Sequence, residues 1–97
     1  SVSFISLKLV LPPSIKHLSA EGYILVLVKP QFEAGKGEVG SRGVINSSII
    51  HAKVLADFCL WAINSHLRFM GIRQSPINGD KGNQEFFVLL QKMSAKA

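Results

Sequence analysis

Apolar and polar positions along the chain form blocks that predict four strands and two helices. An apolar segment opens the chain at 2–7, and the continuous apolar run at 23–28 is typical of a central strand covered on both faces in an α/β sheet. The segments 67–74 and 85–91 are further candidate strands, and a turn-rich stretch at 75–83 separates them. Because that turn is too short for a crossover helix, we expect the last two strands to be antiparallel in a mixed sheet.

The two predicted helices differ in how regular their patterns are. The first, within 8–19, has helical spacing of apolar residues but contains Pro12 and Pro13, each of which lacks an amide hydrogen and crowds the preceding turn. We therefore expect a break at Leu11 and a restart there. The second helix follows candidate N-caps at 46–48. Its apolar stripe, which we expect to face the core, consists of Ile50, Val54, Phe58, Trp61 and Ala62.

A glycine-rich stretch at 30–46 shows no apolar periodicity and is predicted to be a long loop. Part of it, 35–40, spells G-x-G-x-x-G, but no strand joins it tightly and no helix follows, so a dinucleotide-binding loop is not expected. Lys36 and Arg42 are candidate RNA contacts in this loop, and the alternative is a plain connector. The residues from Lys92 onward are predicted to be a frayed tail.

Composition narrows the possible functions. The chain has 97 residues, 47% of them hydrophobic, which suits one small domain with a single core. A net charge of +5 is compatible with binding to phosphate backbones or to an acidic membrane surface. Cys59 is the only cysteine, which excludes an intrachain disulfide and cysteine-cluster metal sites and favours a reducing compartment. The longest strongly apolar run is far shorter than the ~20 residues that span a bilayer.

Three stretches carry recognisable motifs: Val-Ser-Phe-Ile-Ser-Leu at 2–7, Leu-Val-Lys-Pro-Gln-Phe-Glu at 27–33, and Ser-Pro-Ile at 75–77 followed by Gly-Asn-Gln-Glu-Phe at 82–86. Together they resemble the hemolysin-A-like (TlyA-type) branch of the FtsJ-like methyltransferases. Their order and spacing match as well, and the resemblance extends to Val39-Gly40, Gly43-Val44 and His51.

This resemblance implies the C-terminal half of a Rossmann-like S-adenosylmethionine-dependent methyltransferase sheet, so that 1–97 is a partial domain without its cofactor-binding half. No cofactor is then expected to bind this chain alone. The family's catalytic Lys-Asp-Lys-Glu tetrad maps its second lysine onto Lys29 and its glutamate onto Glu85. Its first lysine would lie upstream, and Ser1 stands at the position of the aspartate.

The expected topology, independently of the resemblance, also supports Lys29 and Glu85 as a catalytic pair. Lys29 follows the run at 23–28 and Glu85 begins the last strand, so both are expected at the edge of the sheet where open α/β folds bind ligands. A lysine there can take a proton from a ribose hydroxyl, and a carboxylate can orient the amine or the hydroxyl. The alternatives are a lysine that only reaches solvent and a glutamate that is simply exposed at the start of its strand or pairs with Lys81 or Lys92.

The resulting hypothesis is a fragment of a cytoplasmic rRNA 2′-O-ribose methyltransferase, inactive alone, whose partner is rRNA or a ribosomal subunit. An alternative is a non-catalytic RNA-binding or assembly module. A membrane-lytic hemolysin is a third possibility, which the lack of a long apolar span argues against. Self-association through an exposed sheet edge is expected if the first half of the sheet is absent.

Overall fold

The strands form one antiparallel sheet in the part of the chain that the computed structural model describes, residues 6–35, 39–40 and 43–93. Strands β1 (Tyr23–Val28), β2 (Leu67–Gln74) and β3 (Phe86–Lys92) lie in the order β1-β3-β2. Both neighbouring pairs are antiparallel, and Val28 lies opposite Phe86 at the end of the β1–β3 ladder. The antiparallel arrangement predicted for the last two strands is therefore confirmed.

Within the described ranges, three α-helices accompany the sheet: α1 (Leu7–Lys16), α2 (Pro30–Glu33) and α3 (Ser48–Asn64). The one-turn helix α2 lies in the stretch that was predicted to be loop throughout, and it begins with a proline at its first position, where the missing amide hydrogen costs nothing. A short 3-10 turn at Asp80–Gly82 precedes β3. Helix α3 begins as predicted, because the Ser47 hydroxyl accepts a hydrogen bond from the Ile50 amide at 3.3 Å.

The core lies between α3 and one face of the sheet, and α1 closes it at one side. The predicted stripe of α3 is confirmed, since Val54, Phe58 and Ala62 are buried while Ile50 and Trp61 pack partly buried against the same cluster. The Phe58 and Trp61 rings stack at 5.9 Å between centroids, which is a core contact and not an exposed platform for bases. The strands contribute Val26, Val28, Leu67, Val88 and Leu90.

The predicted break in the first helix is wrong. Helix α1 runs without interruption through Pro12 and Pro13. The two carbonyls that lose their amide partners belong to Lys8 and Leu9, and both residues are exposed, so water can satisfy those groups. The helix is also anchored at its buried Leu11, which compensates for the missing backbone bonds.

The prediction that β1 is a central strand covered on both faces is also wrong for the described residues. The strand is at one end of the described sheet, and its burial alternates, with Val26 and Val28 buried but Leu25 62% exposed. The predicted α/β class is confirmed, since helices and strands together form the described part, and within those ranges all strand pairs are antiparallel. The segment 2–7 that was predicted to be a strand lies mostly outside the described residues, and self-association through an edge stays a prediction.

The C-terminal strand is longer than predicted. Lys92 belongs to β3, where its amide donates to the Gly22 carbonyl at 2.8 Å. Its ammonium group donates to the carbonyls of Ile15 and Leu18, each at 3.0 Å. These carbonyls are at the C-terminal end of α1, where a positive charge is favourable. Lys92 therefore fastens α1 to the sheet and is not part of a frayed tail.

Candidate active site at the end of the sheet

Lys29 and Glu85 lie side by side at one end of the sheet. The last pair of the β1–β3 ladder is Val28 with Phe86, and Lys29 comes directly after the first of these residues while Glu85 comes directly before the second. Both residues are therefore at the edge that follows the carboxyl end of β1, where the topological argument expects them. The structure brings the two positions together, and their catalytic roles stay predictions.

The Lys29 amine lies against an apolar wall. Its Nζ is 5.3 Å from the centroid of the Phe32 ring, a cation–π distance. The two residues border a cavity of about 130 Å³, whose other lining residues are Leu7, Leu27 and Glu33. Lys29 is partly buried, and whether it acts as a base or only reaches into solvent stays a prediction.

The Glu85 side chain is held inside the protein. It is 4% exposed, and its Oε2 accepts a hydrogen bond of 3.1 Å from Nε2 of Gln31, which is itself 9% exposed. Glu85 forms no ion pair with Lys29, and neither Lys81 nor Lys92 bonds to it, so the predicted alternative partners do not apply. The carboxylate is fixed by an amide and not by an ammonium group.

The turn between β2 and β3 is folded around this carboxylate. Its start is held by Ser75, whose amide donates to the Glu85 carbonyl at 2.8 Å and whose hydroxyl donates to the Ile77 carbonyl at 2.8 Å. Gly79 then passes so close to the carboxylate that a Cβ at this position would overlap it. Glu85 is therefore enclosed by Gln31 on one side and by the backbone of Gly79.

Asn83 fastens the end of the glycine-rich loop to the same region. It is 2% exposed, its Oδ1 accepts from the Ile45 amide at 2.9 Å, and its Nδ2 donates to the Gly43 carbonyl at 2.8 Å. The Ile45 carbonyl lies 3.1 Å from Nε2 of His51, whose ring meets Phe86 edge-on at 5.7 Å. His51 thus packs against the start of β3 and contacts the backbone at the end of the loop.

Glu33 connects the site to α1. Its carboxylate accepts hydrogen bonds from the Ser6 hydroxyl at 2.7 Å and from the Leu7 amide at 2.9 Å. These groups are at the N-terminus of α1, where a negative charge is favourable. Although Glu33 lines the same cavity as Lys29, its carboxylate is therefore occupied by the helix terminus and does not pair with the amine.

Sequence reasoning missed several residues that build this site: Gln31, Glu33, Gly79 and Asn83. All four lie in or between the stretches that carry the family resemblance, and a possible signal was the concentration of polar residues directly after β1 and directly before β3. The candidate RNA contacts Lys36 and Arg42 lie outside the described residues, as does Ser1.

The described part of the chain gives little support for metal binding or for thiol chemistry. No group of three or more potential metal ligands occurs there. Burial raises the pKa of the Cys59 thiol, so little of it is thiolate at neutral pH.

We also tested whether the described residues fit S-adenosylmethionine, the methyl donor implied by the resemblance. The cavity beside Lys29, at about 130 Å³, is below the roughly 300 Å³ at which ligand pockets usually begin. A larger hollow of about 370 Å³ on the uncovered sheet face is lined by Leu25, Met70, Gly71, Ile72, Arg73, Phe87 and Leu89. It has no carboxylate to hold a ribose. Neither of these two cavities therefore fits the cofactor.

Comparisons with known proteins agree on one family. The model of the FtsJ-like methyltransferase family matches residues 1–92. The 16S/23S rRNA (cytidine-2′-O)-methyltransferase TlyA of Mycobacterium tuberculosis is 38% identical over 96 residues, which cover 99% of this chain and 36% of TlyA. Hemolysin A of Brachyspira hyodysenteriae is 36% identical over 87 residues, which cover 90% of this chain and 36% of that protein.

A solved structure shows the same likeness. A hemolysin-type protein from Streptococcus thermophilus superimposes with a TM-score of 0.91 at 44% identity, over 97% of this chain and 34% of that protein. The chain thus spans about a third of the length of the relatives that it matches.

Proposed function

Because the chain belongs to the FtsJ-like methyltransferase family, we propose that it carries the proton-transfer side of an RNA ribose 2′-O-methyltransferase site. The observation that supports this most directly is the placement of Lys29 and Glu85 on either side of the Val28–Phe86 pair. An amine and a carboxylate at one sheet edge are the groups that deprotonation of a hydroxyl requires.

In this proposal the Lys29 amine is the general base. It would take the proton of a ribose 2′-hydroxyl as the O–H bond breaks. S-adenosylmethionine, when bound, would supply the methyl group, and its carbon–sulfur bond would break with the electron pair left on sulfur as the new carbon–oxygen bond forms. Glu85 orients the hydroxyl or the protonated amine. S-adenosylmethionine would bind outside the described residues, as the family resemblance implies.

The proposed substrate is ribosomal RNA. TlyA is named for that substrate, and the net charge of +5 favours contact with a phosphate backbone. Lys36 and Arg42 are the proposed RNA contacts of the glycine-rich loop, and the proposed setting is a cytoplasmic ribosomal subunit.

The test is transfer of a labelled methyl group from S-adenosylmethionine to ribosomal RNA by the native protein that carries this chain. RNA linkages that bear a 2′-O-methyl group resist alkaline hydrolysis, so the label should be recovered in alkali-stable dinucleotides. Label in mononucleotides would indicate base methylation, and an absence of label would reject the proposed activity.

A non-catalytic RNA-binding module is the second candidate, and the net charge of +5 is compatible with it. It predicts salt-sensitive binding of a structured rRNA fragment without cofactor. Filter binding at two salt concentrations tests it, and no binding at the lower one would reject it. For the membrane-lytic alternative, the described residues contain no helix that is both long enough and apolar enough to cross a bilayer.

A further inference from the structure

We propose that Gln31 is a positioning residue of this site, whose side-chain amide holds the Glu85 carboxylate in the orientation that the reaction uses. The inference rests on the proposed function. It adds a residue whose role would be to act through Glu85 and not on the RNA itself.

The contact has the properties of a fixed orientation. Gln31 is 9% exposed and Glu85 is 4% exposed, so the hydrogen bond of 3.1 Å between them lies away from water. A bond from an amide to a buried carboxylate is stronger than one between neutral groups. Gly79 lies against the same carboxylate and leaves it little room to turn.

The backbone around Gln31 also ties it to Lys29. Helix α2 begins directly after Lys29, whose carbonyl accepts from the Phe32 amide at 2.8 Å and from the Glu33 amide at 3.2 Å. Pro30 restricts the backbone between Lys29 and Gln31. Gln31 is therefore held close to Lys29 by the backbone and bonds to Glu85 by its side chain, so it links the position of the carboxylate to that of the amine.

The other end of the Gln31 amide indicates why a glutamine is present. Its Oε1 is buried and has no hydrogen-bond partner among the described residues. A buried acceptor without a partner is destabilising, and an apolar side chain of similar size would avoid this cost. An apolar residue could not donate the hydrogen bond that Nε2 gives to Glu85, and this bond is therefore what the glutamine provides. This bond also fixes which end of the amide faces the carboxylate, because Oε1 in that place would be repelled.

A double-mutant cycle on the native protein tests the proposal. The variants are Gln31→Met, which keeps the volume but loses the donor, Glu85→Gln, and the double substitution. Gln31→Met should lower kcat roughly tenfold, the effect of losing one hydrogen bond to a charged group, with KM for RNA nearly unchanged. In the Glu85→Gln background the same change should lower kcat less than about twofold, because a residue that acts through Glu85 has no separate effect once the charge is gone.

The matched control is Gln91→Met. Gln91 donates from a surface position at the far end of β3 to the Glu21 carbonyl at 3.0 Å, and its loss should leave kcat unchanged. If Gln31→Met lowers kcat by the same factor in both backgrounds, Gln31 acts independently of Glu85 and the proposal is wrong.

An NMR measurement that does not depend on methyl transfer tests the role of Gln31 separately from the proposed function. In the 97-residue chain, the Gln31 side-chain ¹⁵N–¹H resonances should shift on Glu85→Gln, while those of Gln91 should not. If the wild-type protein transfers no methyl group, the proposed function fails, and an unmoved Gln31 resonance would then reject the positioning role as well. A shifted resonance would support the contact on which the positioning role depends.

Discussion

Lys29 and Glu85 are neighbours across the end of the β1–β3 ladder, yet they share neither a hydrogen bond nor an ion pair. Each is held by a different residue of α2, the amine by the Phe32 ring and the carboxylate by the Gln31 amide. The nearby Glu33 carboxylate is occupied by the N-terminus of α1. The Lys29 amine thus has no carboxylate partner in the described part of the chain, which suits a group proposed to accept a proton from a substrate.

Gly79→Ala should impair the site through Glu85. A Cβ at residue 79 would overlap the carboxylate, which must then leave its place beside Gln31. We expect a fall in the rate of methyl transfer of at least about tenfold, smaller than the ~10²–10⁴-fold loss of a whole acid–base group because the carboxylate is displaced and not removed. The control is Gly71→Ala, because a Cβ there meets nothing within 4 Å. Equal single-turnover rates for the two variants would contradict the packing described for Glu85.

Asn83→Ala should destabilise the protein. It removes the partners of the Ile45 amide and the Gly43 carbonyl, and each buried group that is left unpaired costs about 1–3 kcal/mol. We expect the free energy of unfolding in urea to fall by about 2–4 kcal/mol. Asn78→Ala is the control, since Asn78 is exposed in the same turn and should change stability by less than about 0.5 kcal/mol. Similar values for both variants would mean that Asn83 does not fasten the loop.

Glu33→Ala should loosen α1. The variant loses the acceptor for the Leu7 amide and the Ser6 hydroxyl, and loss of a helix cap typically costs about 1 kcal/mol. Amide hydrogen exchange in α1 should become about fivefold faster or more, while exchange in α3 should change little. Asp57→Ala, on the exposed face of α3, serves as the control. Unchanged protection of α1 would show that Glu33 does not cap it.

The chain of 97 residues should not bind S-adenosylmethionine detectably by itself, because neither the cavity beside Lys29 nor the hollow on the sheet face fits it. Isothermal calorimetry at micromolar to millimolar cofactor is the measurement. Micromolar affinity would mean that this chain holds the cofactor and would overturn the division of roles proposed here.

Sequence patterns predicted the elements whose signals are local. The helical stripe of α3 and the span of β2 agree with the structure, because each depends on residues close together in the chain. The course of α1 through Pro12 and Pro13 was not predictable by the local rule, since it depends on exposed carbonyls and on the buried Leu11. The open face of β1 was missed because a continuous apolar run does not reveal which neighbours cover it.

The candidate site was predicted in position but not in detail. Lys29 and Glu85 were identified from the resemblance and the expected topology, and the register of β1 with β3 places them together. The bond between Gln31 and Glu85 joins residues 54 positions apart, and no local pattern signals such a contact. For the same reason, Glu33 was not recognised as the cap of a helix that begins 26 residues earlier.

The central claim is that Lys29 accepts the proton of the ribose hydroxyl. The most direct measurement is the single-turnover rate of methyl transfer by the native protein and its Lys29→Ala variant, with RNA and cofactor saturating. We predict that the rate falls about 10²–10⁴-fold while RNA affinity and the free energy of unfolding stay nearly unchanged, and that Lys8→Ala, at an exposed position of α1, has the wild-type rate. A near-normal rate for Lys29→Ala would contradict the account.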